Sequence, residues 1–236
     1  MSEALEKVRG VKFLPLFSLP LVLLPNEVLP LHIFEPRYRQ MLRDVQLQKN
    51  LFGLSYFDSM ESGSTNPEPG SYGCAAEIRE VQTLDDGRSN ILSIGVIRYV
   101  LESYVESGEP YAVGKVSFFE DDDGEDAGVL QSLADEVFEL FTRFAKAARE
   151  LSGERQRVQF PEIQKIAPYP FSFLVAAAFN FQPEIKFEFM KMRSTTQRLE
   201  KLRGILGQSI ERIETGAQIN RIAKTNGHTK QKINLD

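Results

Sequence analysis

Four prolines inside one apolar run constrain this chain more than any other feature of its sequence. Residues 13–34 are largely apolar, yet Pro15, Pro20, Pro25 and Pro30 interrupt them. Proline inside a helix removes a hydrogen bond and clashes with the preceding turn, so the run does not predict a membrane-spanning helix. Strands tolerate proline at their ends and edges. The run therefore predicts a soluble protein that begins with short strands, at Val11–Phe17, Leu19–Leu24 and Val28–Phe34.

The amino-terminal segment and the cysteine content favour a cytoplasmic location. MSEALEKVRG mixes acidic and basic residues, whereas a secretory signal begins basic and continues apolar. Cys74 is the only cysteine, which excludes an intramolecular disulfide and a multi-cysteine zinc site. We interpret Cys74 as a small buried apolar residue, with a reactive thiol as the alternative.

The clearest local signal is a hairpin centred on Asp86-Gly87. Asp-Gly pairs adopt the positive φ angles of tight hairpin turns. Gly95, in the following strand, indicates a β-bulge or a close approach of another backbone segment. Several short strands with hairpin turns are typical of a small, bent barrel. The strands are predicted at Leu51–Phe57, Cys74–Leu84, Asn90–Tyr104 and Tyr111–Phe119.

The second half of the chain carries helical periodicity. Apolar residues between Leu130 and Leu151 recur at spacings of three and four, which predicts a long helix with one apolar stripe. Ser194 and Gln197 form a capping box before a second stripe, which we expect to dock on the first. The stripes are Leu133, Val137, Phe141 and Phe144, then Leu199, Leu202, Leu206 and Ile213. Shorter helices are predicted at Pro36–Gln48, Phe171–Phe181 and Pro183–Met192.

These elements predict an α+β chain with two subdomains and a tail. The β subdomain is predicted over residues 11–120 and the helical subdomain over residues 126–215. Residues 216–236 are mostly polar, and we expect them to be flexible because they can bury little apolar surface. Ser59–Gly73 is rich in turn-forming residues and predicts a long, mobile loop.

A continuous nine-residue segment, PLHIFEPRY, closely resembles the opening motif of the amino-terminal domain of Lon proteases. Later segments, Gly73–Ile78, Asp86-Gly87-Arg88 and Arg98-Tyr99, resemble further signatures of that family in the same order. The resemblance covers about residues 11–213. Ser18 and Asn26 depart from the family's common Pro and Gly; the second change is mild, because Asn accepts a left-handed turn. The motif residues are Pro30, Leu31, His32, Ile33, Phe34, Glu35, Pro36, Arg37 and Tyr38, with Gly87 and Arg98.

The resemblance implies a PUA-like β pseudobarrel followed by a C-terminal α-helical bundle. It also implies a free-standing copy of a substrate-binding domain that recognises unfolded or tagged polypeptides or a protein partner, for delivery to a protease. We expect the motif residues to be structural and assign no contact residues for the binding surface. The candidate surfaces are the proline-punctuated edge at Leu14–Leu24 and the barrel–helix junction. Extended segments bind such features by sheet-edge addition or in an apolar groove.

The sequence predicts no catalysis, cofactor or metal. No G-x-x-x-x-G-K-[ST] phosphate loop is present, and His32 and His228 are the only histidines. His32 is interpreted as a hydrogen-bonded structural residue, with a ligand role as the alternative. The acidic run of residues 120–126 lacks the glycine and final glutamate of a calcium loop, so a solvated loop before the helix is favoured.

Two further residue groups each allow two interpretations. Glu35, Arg37 and Arg98 form either a substrate-binding charge cluster or a structural corner between a strand and a helix, where buried charges must be paired. The phenylalanines from Phe138 to Phe144 form either a peptide groove or part of the core, and their spacing favours the core.

Two rival functions remain open. PUA-like barrels often bind RNA, but the formal net charge of −5 and the lack of a basic, aromatic stripe count against nucleic acid. A small hydrolase with an unrecognised site, built on His32, Cys74 or Glu35, is the other alternative.

Overall fold

In the computed structural model, which describes residues 2–57, 66–122, 124, 126–152 and 166–226, the proline-interrupted run forms two strands instead of three. They are β1 (Phe13–Leu19) and β2 (Val28–Ile33). The prediction of a strand over Leu19–Leu24 is wrong, although Val22, Leu23 and Leu24 are buried. The backbone N–H of Leu24 donates to the Glu27 carboxylate at 2.9 Å, so a side chain takes the donor that a neighbouring strand would need.

Apart from α1, which was not predicted, the other elements of the first 124 residues lie close to their predicted positions. Helix α1 (Glu3–Lys7) precedes β1, and α2 (Pro36–Gln46) follows β2 with Pro36 in its first turn. Asn26 adopts the left-handed conformation expected of it, with φ of 65°. The remaining strands are β3 (Leu51–Tyr56), β4 (Tyr72–Thr83), β5 (Ser89–Val105) and β6 (Val113–Phe119).

The six strands form one mixed sheet in the order β2-β5-β4-β3-β1-β6, and β5 also pairs with β6. That extra pairing closes five of the strands into a ring, with β2 outside it. β5 supports this closure through its length of 17 residues, since it pairs with β2 and β4 along its first part and with β6 along its last part. A register shift lies opposite Gly95, where the bulge was expected. A bulge bends a strand and increases its twist, which helps a short sheet to close.

Strand pairing describes the segment Leu14–Leu24 further. β1 pairs with β6 over Phe13–Pro15 and with β3 over Leu16–Leu19, so each half of the strand has one partner, and residues 20–24 lie outside the sheet. Among the described residues β2 pairs with β5 alone, which makes β2 an edge strand. Pro30 sits in its middle. Proline lacks an N–H donor and is tolerated where that position faces away from the ladder.

Apolar side chains fill the interior of the ring. The buried cluster joins residues from five strands and from the end of α1: Val8, Leu14, Leu16, Leu51, Ala75, Val96, Ile97, Tyr99, Leu101 and Val116. Tyr99 is fully buried, and its hydroxyl shares a hydrogen bond of 2.7 Å with Ser55. Gly53 and Gly73 face this ring, because an added Cβ would lie 2.8 and 2.4 Å from Tyr99. Small residues on β3 and β4 therefore make room for one large tyrosine.

The chain divides into two compact units that interleave along the sequence. The first contains Met1–Gly124 with Tyr169–Ser194, and the second contains Glu125–Pro168 with Thr195–Asp236. The first segment of the sheet unit ends near the predicted boundary between residues 120 and 126. However, α4 (Pro168–Ala178) and α5 (Pro183–Lys191), which were predicted in the helical subdomain, belong almost wholly to the unit of the sheet. The physical reason is that Phe173 of α4 and the Met190 carbonyl of α5 contact the buried Arg98 guanidinium of β5.

The second unit is built on two long helices, α3 (Ala127–Ser152) and α6 (Thr195–Asn226), which pack against each other. Asp126 caps α3 through backbone N–H groups of Gly128 and Val129, at 2.8 and 3.0 Å. The predicted stripes are largely buried: Leu133, Val137, Phe141, Leu199, Leu202 and Leu206. Phe141 therefore belongs to the core, whereas Phe138 is 40% exposed. The α6 helix continues to Asn226, ten residues beyond the predicted start of the tail.

Several predictions fall on residues outside the described set. They concern residues 58–65 of the predicted loop, Asp123 and Glu125 of the acidic run, and residues 227–236 of the predicted tail. Within the described residues, no helix combines the length and apolarity needed to cross a bilayer.

Candidate functional site

The PLHIFEPRY segment occupies the edge strand β2 and the start of α2. Ile33 and Tyr38 are buried, and they fix the strand and the helix on the barrel. Alternate residues Val28, Pro30, His32 and Phe34 face solvent, and Phe34 is 59% exposed. These alternate residues therefore form an exposed, partly apolar face, whereas Ile33 and Tyr38 pack against the barrel.

His32 is hydrogen-bonded and exposed. Its Nδ1 lies 2.7 Å from Asn90 Oδ1 on β5, and its ring stacks on Phe34 with centroids 6.1 Å apart. Neither neighbour is an acid or a nucleophile. The hydrogen bond orients the imidazole on the face of β2. Neither of these contacts gives His32 the acidic partner that assists a histidine acting as a general base.

The charges at the corner between β2 and α2 form a local surface pair. Glu35 accepts from Arg37 at 2.9 Å, and the two side chains are 39% and 50% exposed. The Arg37 guanidinium also lies 4.5 Å from the Tyr38 ring centroid. Glu35 occupies the N-cap position of α2 without a side-chain cap hydrogen bond. The expectation of buried, obligatorily paired charges at this corner is wrong, because water reaches both groups.

Arg98 lies elsewhere, so the three charges do not form one cluster. Its side chain is fully buried on β5, and it pairs with Asp121 at 2.7 Å. It also donates to the carbonyl oxygens of Met190, at 3.1 Å, and Met192. The guanidinium lies over the rings of Phe119 and Phe173, at 4.5 and 5.1 Å. The site is a structural cation site made by β5, β6 and the end of α5.

A second contact lies beside this cation site. The backbone N–H of Asp122 donates to the carbonyl of Arg193 at 2.8 Å, and the Arg193 guanidinium lies 3.5 Å from the Asp122 carboxylate. Together with the bonds of Arg98, this contact fastens residues 121–122 to residues 190–193. We call this set the Arg98 clasp. Asp121 and Asp122 thus form ion pairs with Arg98 and Arg193. These pairs indicate a structural role for the two aspartates, in place of the calcium role considered for the acidic run.

Gly87 is required at the hairpin turn between β4 and β5. Its φ is 78°, and an added Cβ would lie 2.1 Å from Arg39 Nη2. Beside it Asp86 accepts from Arg88 at 2.6 Å, and that hydrogen bond lowers the pKa of the Asp86 carboxyl. Gly87 is thus a turn residue, consistent with the Asp-Gly signal in the sequence.

Cys74 is not placed to act as a nucleophile. It is completely buried on β4, and burial raises the pKa of its thiol to about 12. The thiolate is the reactive form of cysteine, so this side chain stays inert near neutral pH. Among the described residues, no three His, Cys, Asp or Glu side chains are grouped so that they could hold a metal ion.

A groove with mixed chemistry lies on the first unit. It has a volume of about 390 Å³ and lies between the β1–β2 connection and the α4–α5 connection. We call it the α4–α5 groove. Its walls are mostly apolar: Leu21, Val22, Ala177, Ala178, Phe179, Phe181 and Pro183 line it, with Asn180 as a polar member. Phe179 stacks on Phe181 with centroids 5.2 Å apart, and Phe181 in turn stacks on Phe189 at 5.7 Å.

One ion pair lies in the wall of this groove. Lys186 Nζ is 2.5 Å from Glu27 Oε1, and the side chains are only 13% and 17% exposed. The other Glu27 oxygen accepts from the Leu24 backbone, which holds the carboxylate in position. The groove therefore combines aromatic and aliphatic walls with one neutralised pair of charges that retains hydrogen-bonding capacity.

Sequence reasoning proposed Leu14–Leu24 as a candidate surface, and Leu21 and Val22 of that segment line the groove, but it did not identify the wall formed by residues 177–186. It assigned Phe179 and Phe181 to a buried helix, whereas α4 ends at Ala178 and both rings lie in the connection that follows. The available signal was the segment FNFQP, in which two phenylalanines alternate with amides before a proline. Pairing of Glu27 with Lys186, 159 residues away, has no local signature.

Comparison with known families identifies a family with this sequence pattern. A family model described as the substrate-binding domain of ATP-dependent protease La (LON) matches residues 13–208, which is most of the chain. The chain belongs to this LON domain family. The recognition made from PLHIFEPRY and the later segments is confirmed.

Individual relatives of this chain within the LON family are distant from it in sequence. It is 23% identical over 228 residues to the Lon protease of Desulforamulus reducens, which covers 95% of this chain and 28% of that protein. The chain thus spans less than a third of that relative's length. A Lon N-terminal domain protein from Xanthomonas campestris has a TM-score of 0.56 and 23% identity, over 81% of this chain and 97% of that chain.

The N-terminal domain of the Lon protease of Mycobacterium avium complex is similar in structure, with a TM-score of 0.62. It is 16% identical, over 83% of this chain and 98% of that chain. At these identities the similarity concerns the fold. The predicted α+β class, with a β barrel and helices, is confirmed.

Proposed function

We propose that this chain is a non-catalytic module that binds protein substrates, recognising unfolded or tagged polypeptides or a protein partner for delivery to a protease. The observation that carries the proposal is the α4–α5 groove, whose aromatic and aliphatic walls suit the apolar side chains that unfolded proteins expose. Membership of a substrate-binding domain family supports the same function. We place this activity in the cytoplasm, in keeping with the single, buried cysteine.

Binding of unfolded protein can be tested with one model protein in two states. The full chain is titrated against a fluorescently labelled model protein, either folded or permanently unfolded by reduction and alkylation, and anisotropy is recorded. We expect the unfolded form to bind at least tenfold more tightly, because only that form exposes extended apolar segments. Equal affinity for the two forms, or binding to neither, would contradict the proposal.

Delivery and the absence of catalysis need separate measurements. We expect the purified chain to release no phosphate from ATP and to cleave no unfolded protein. In a mixture with a Lon-type protease, we expect it to change the degradation rate of the unfolded model protein. Turnover by the chain alone would favour the hydrolase alternative, and variants at His32, Cys74 and Glu35 would then locate its site.

RNA binding is measured by the same titration at two salt concentrations. The net charge of −5 gives the chain little general attraction for phosphates. Tight binding that weakens steeply with salt would favour the RNA alternative over the protein-binding function.

A further inference from the structure

We propose that the α4–α5 groove binds an internal, uncharged stretch of extended polypeptide, with one large apolar side chain in the groove and its backbone amide at the Glu27–Lys186 pair. This inference rests on the proposed protein-binding function and names the ligand chemistry of its site. The size of the groove is the first argument. A volume of about 390 Å³ lies near the lower end of sites that take small ligands, about 300–1,000 Å³, so it suits a side chain or two and not a folded surface.

The walls select an apolar side chain. The stacked rings of Phe179 and Phe181 form one side, and Leu21, Val22 and Pro183 provide aliphatic surface. Both phenylalanines are only half-buried. Placing an aromatic or large aliphatic side chain against them removes apolar surface from water on both partners, and aromatic pairs add a further preference.

The ion pair selects an uncharged backbone. Lys186 and Glu27 offset each other's charge at 2.5 Å, so neither a free carboxylate nor a free ammonium meets a net opposite charge there. Lys186 has three N–H donors and one acceptor, Glu27, among the described residues. Its remaining donors and the lone pairs of Glu27 match the carbonyl and N–H of a peptide group. An internal peptide segment therefore satisfies the pair better than a chain terminus.

Strand pairing disfavours the competing mode, in which a polypeptide adds to the sheet. Each half of β1 already has one paired neighbour, and the edge strand β2 carries Pro30 in its middle. Because proline has no N–H to donate, an added strand would lose a ladder hydrogen bond at the centre of β2. Recognition of a side chain in a groove does not depend on such a ladder.

The test uses a blocked heptapeptide with one central phenylalanine among glycines and serines, acetylated and amidated at its ends. Binding to the full chain is followed by fluorescence anisotropy of an attached dye. Ala178 is exposed at the end of α4 and lines the groove, so Ala178→Trp fills the groove without removing a buried contact. Leu47→Trp is the matched control, because Leu47 is 86% exposed and does not line the groove.

We expect Ala178→Trp to weaken peptide binding at least tenfold and Leu47→Trp to change it less than twofold, with both unfolding midpoints near that of the parent. Replacing the central phenylalanine by serine should weaken binding comparably. The double variant Glu27→Gln/Lys186→Met removes both charges while keeping side chains of similar size. It should weaken binding of the blocked peptide severalfold, because methionine cannot donate to the peptide carbonyl and a neutral glutamine accepts less strongly from the peptide N–H than a carboxylate does.

Three results would overturn the inference. One is full affinity of Ala178→Trp for both the peptide and the unfolded model protein, which would leave the protein-binding function intact and move its site. Another is at least tenfold tighter binding of a peptide with a free C-terminal carboxylate than of the amidated one. The third is unchanged peptide affinity of the double variant. Failure of the parent chain to bind the unfolded model protein would instead refute the proposed function itself.

Discussion

Arg98→Met should destabilise the first unit more than any other single change of a charged residue described above. The substitution removes a fully buried guanidinium from Asp121, which is 9% exposed, and from the carbonyls of Met190 and Met192. Breaking a buried charge pair by deleting one partner costs about 3–5 kcal/mol, because the remaining charge stays in a poorly hydrated place. Loss of the contacts with Phe119 and Phe173 adds to that cost. We expect a loss of about 4 kcal/mol in the free energy of unfolding.

Urea denaturation followed by far-UV circular dichroism measures this loss, and the tyrosine signal gives a second probe in a chain without tryptophan. Arg88→Met is the matched control, since the Asp86–Arg88 pair is solvent-exposed and its loss should change the free energy of unfolding little. Arg98→Lys tests the geometry, because a lysine ammonium cannot reproduce the planar fork of donors. A loss below about 1 kcal/mol for Arg98→Met, similar to the control, would refute the argument that this cation organises the unit.

Three further predictions follow from the same structure. Gly95→Ala should destabilise the chain by about 3 kcal/mol, because its Cβ would lie 2.2 Å from the Leu24 carbonyl oxygen. Gly204 lies in the interior of α6, and a Cβ added there would meet no atom within 4 Å, so Gly204→Ala should stabilise the chain by about 1 kcal/mol. A stabilising Gly95→Ala or a destabilising Gly204→Ala in urea melts would contradict these expectations. Glu35→Ala should cost less than about 1 kcal/mol, since its pair with Arg37 is half exposed, and a fall of several degrees in Tm would contradict this. The raised pKa of Cys74 should make the protein sensitive to alkali. The unfolded thiol ionises near its ordinary value of 9.0 and the folded one near about 12, so this stability is complete below pH 9 and is lost as the pH rises toward 12. Burial raises the pKa of Tyr99 in the same direction. Alkylation of Cys74 at pH 8 should need urea, and rapid labelling of the native chain would contradict its burial.

Features encoded by neighbouring residues were predictable from the sequence. The Asp86-Gly87 pair gave the β4–β5 hairpin, and Asn26 gave a left-handed turn, because each depends on the backbone preferences of one or two residues. The stripes of α3 and α6 were predictable because helical spacing places apolar side chains on one face wherever the helices dock.

Features that depend on distant partners were not predictable. Leu19–Leu24 has the composition of a strand, but Glu27 captures the Leu24 N–H and Gly95 lies against the Leu24 carbonyl. The exposed pair at Glu35 and the buried one at Arg98 look alike in sequence, because burial of a charge is decided by segments that arrive from far along the chain. The α4–α5 groove has the same origin, since its charged residues are 159 positions apart.

The Arg98 clasp also sets an order for synthesis on the ribosome. The two carbonyl partners of Arg98 lie 92 and 94 residues further along the chain. At about 5–20 residues per second, they are added roughly 5–20 s after Arg98 itself. During that interval the guanidinium can pair with Asp121 but lacks both carbonyl partners. The Arg98 clasp of the first unit therefore cannot be completed until residues 190–193 have been made, after residues 125–168 of the other unit.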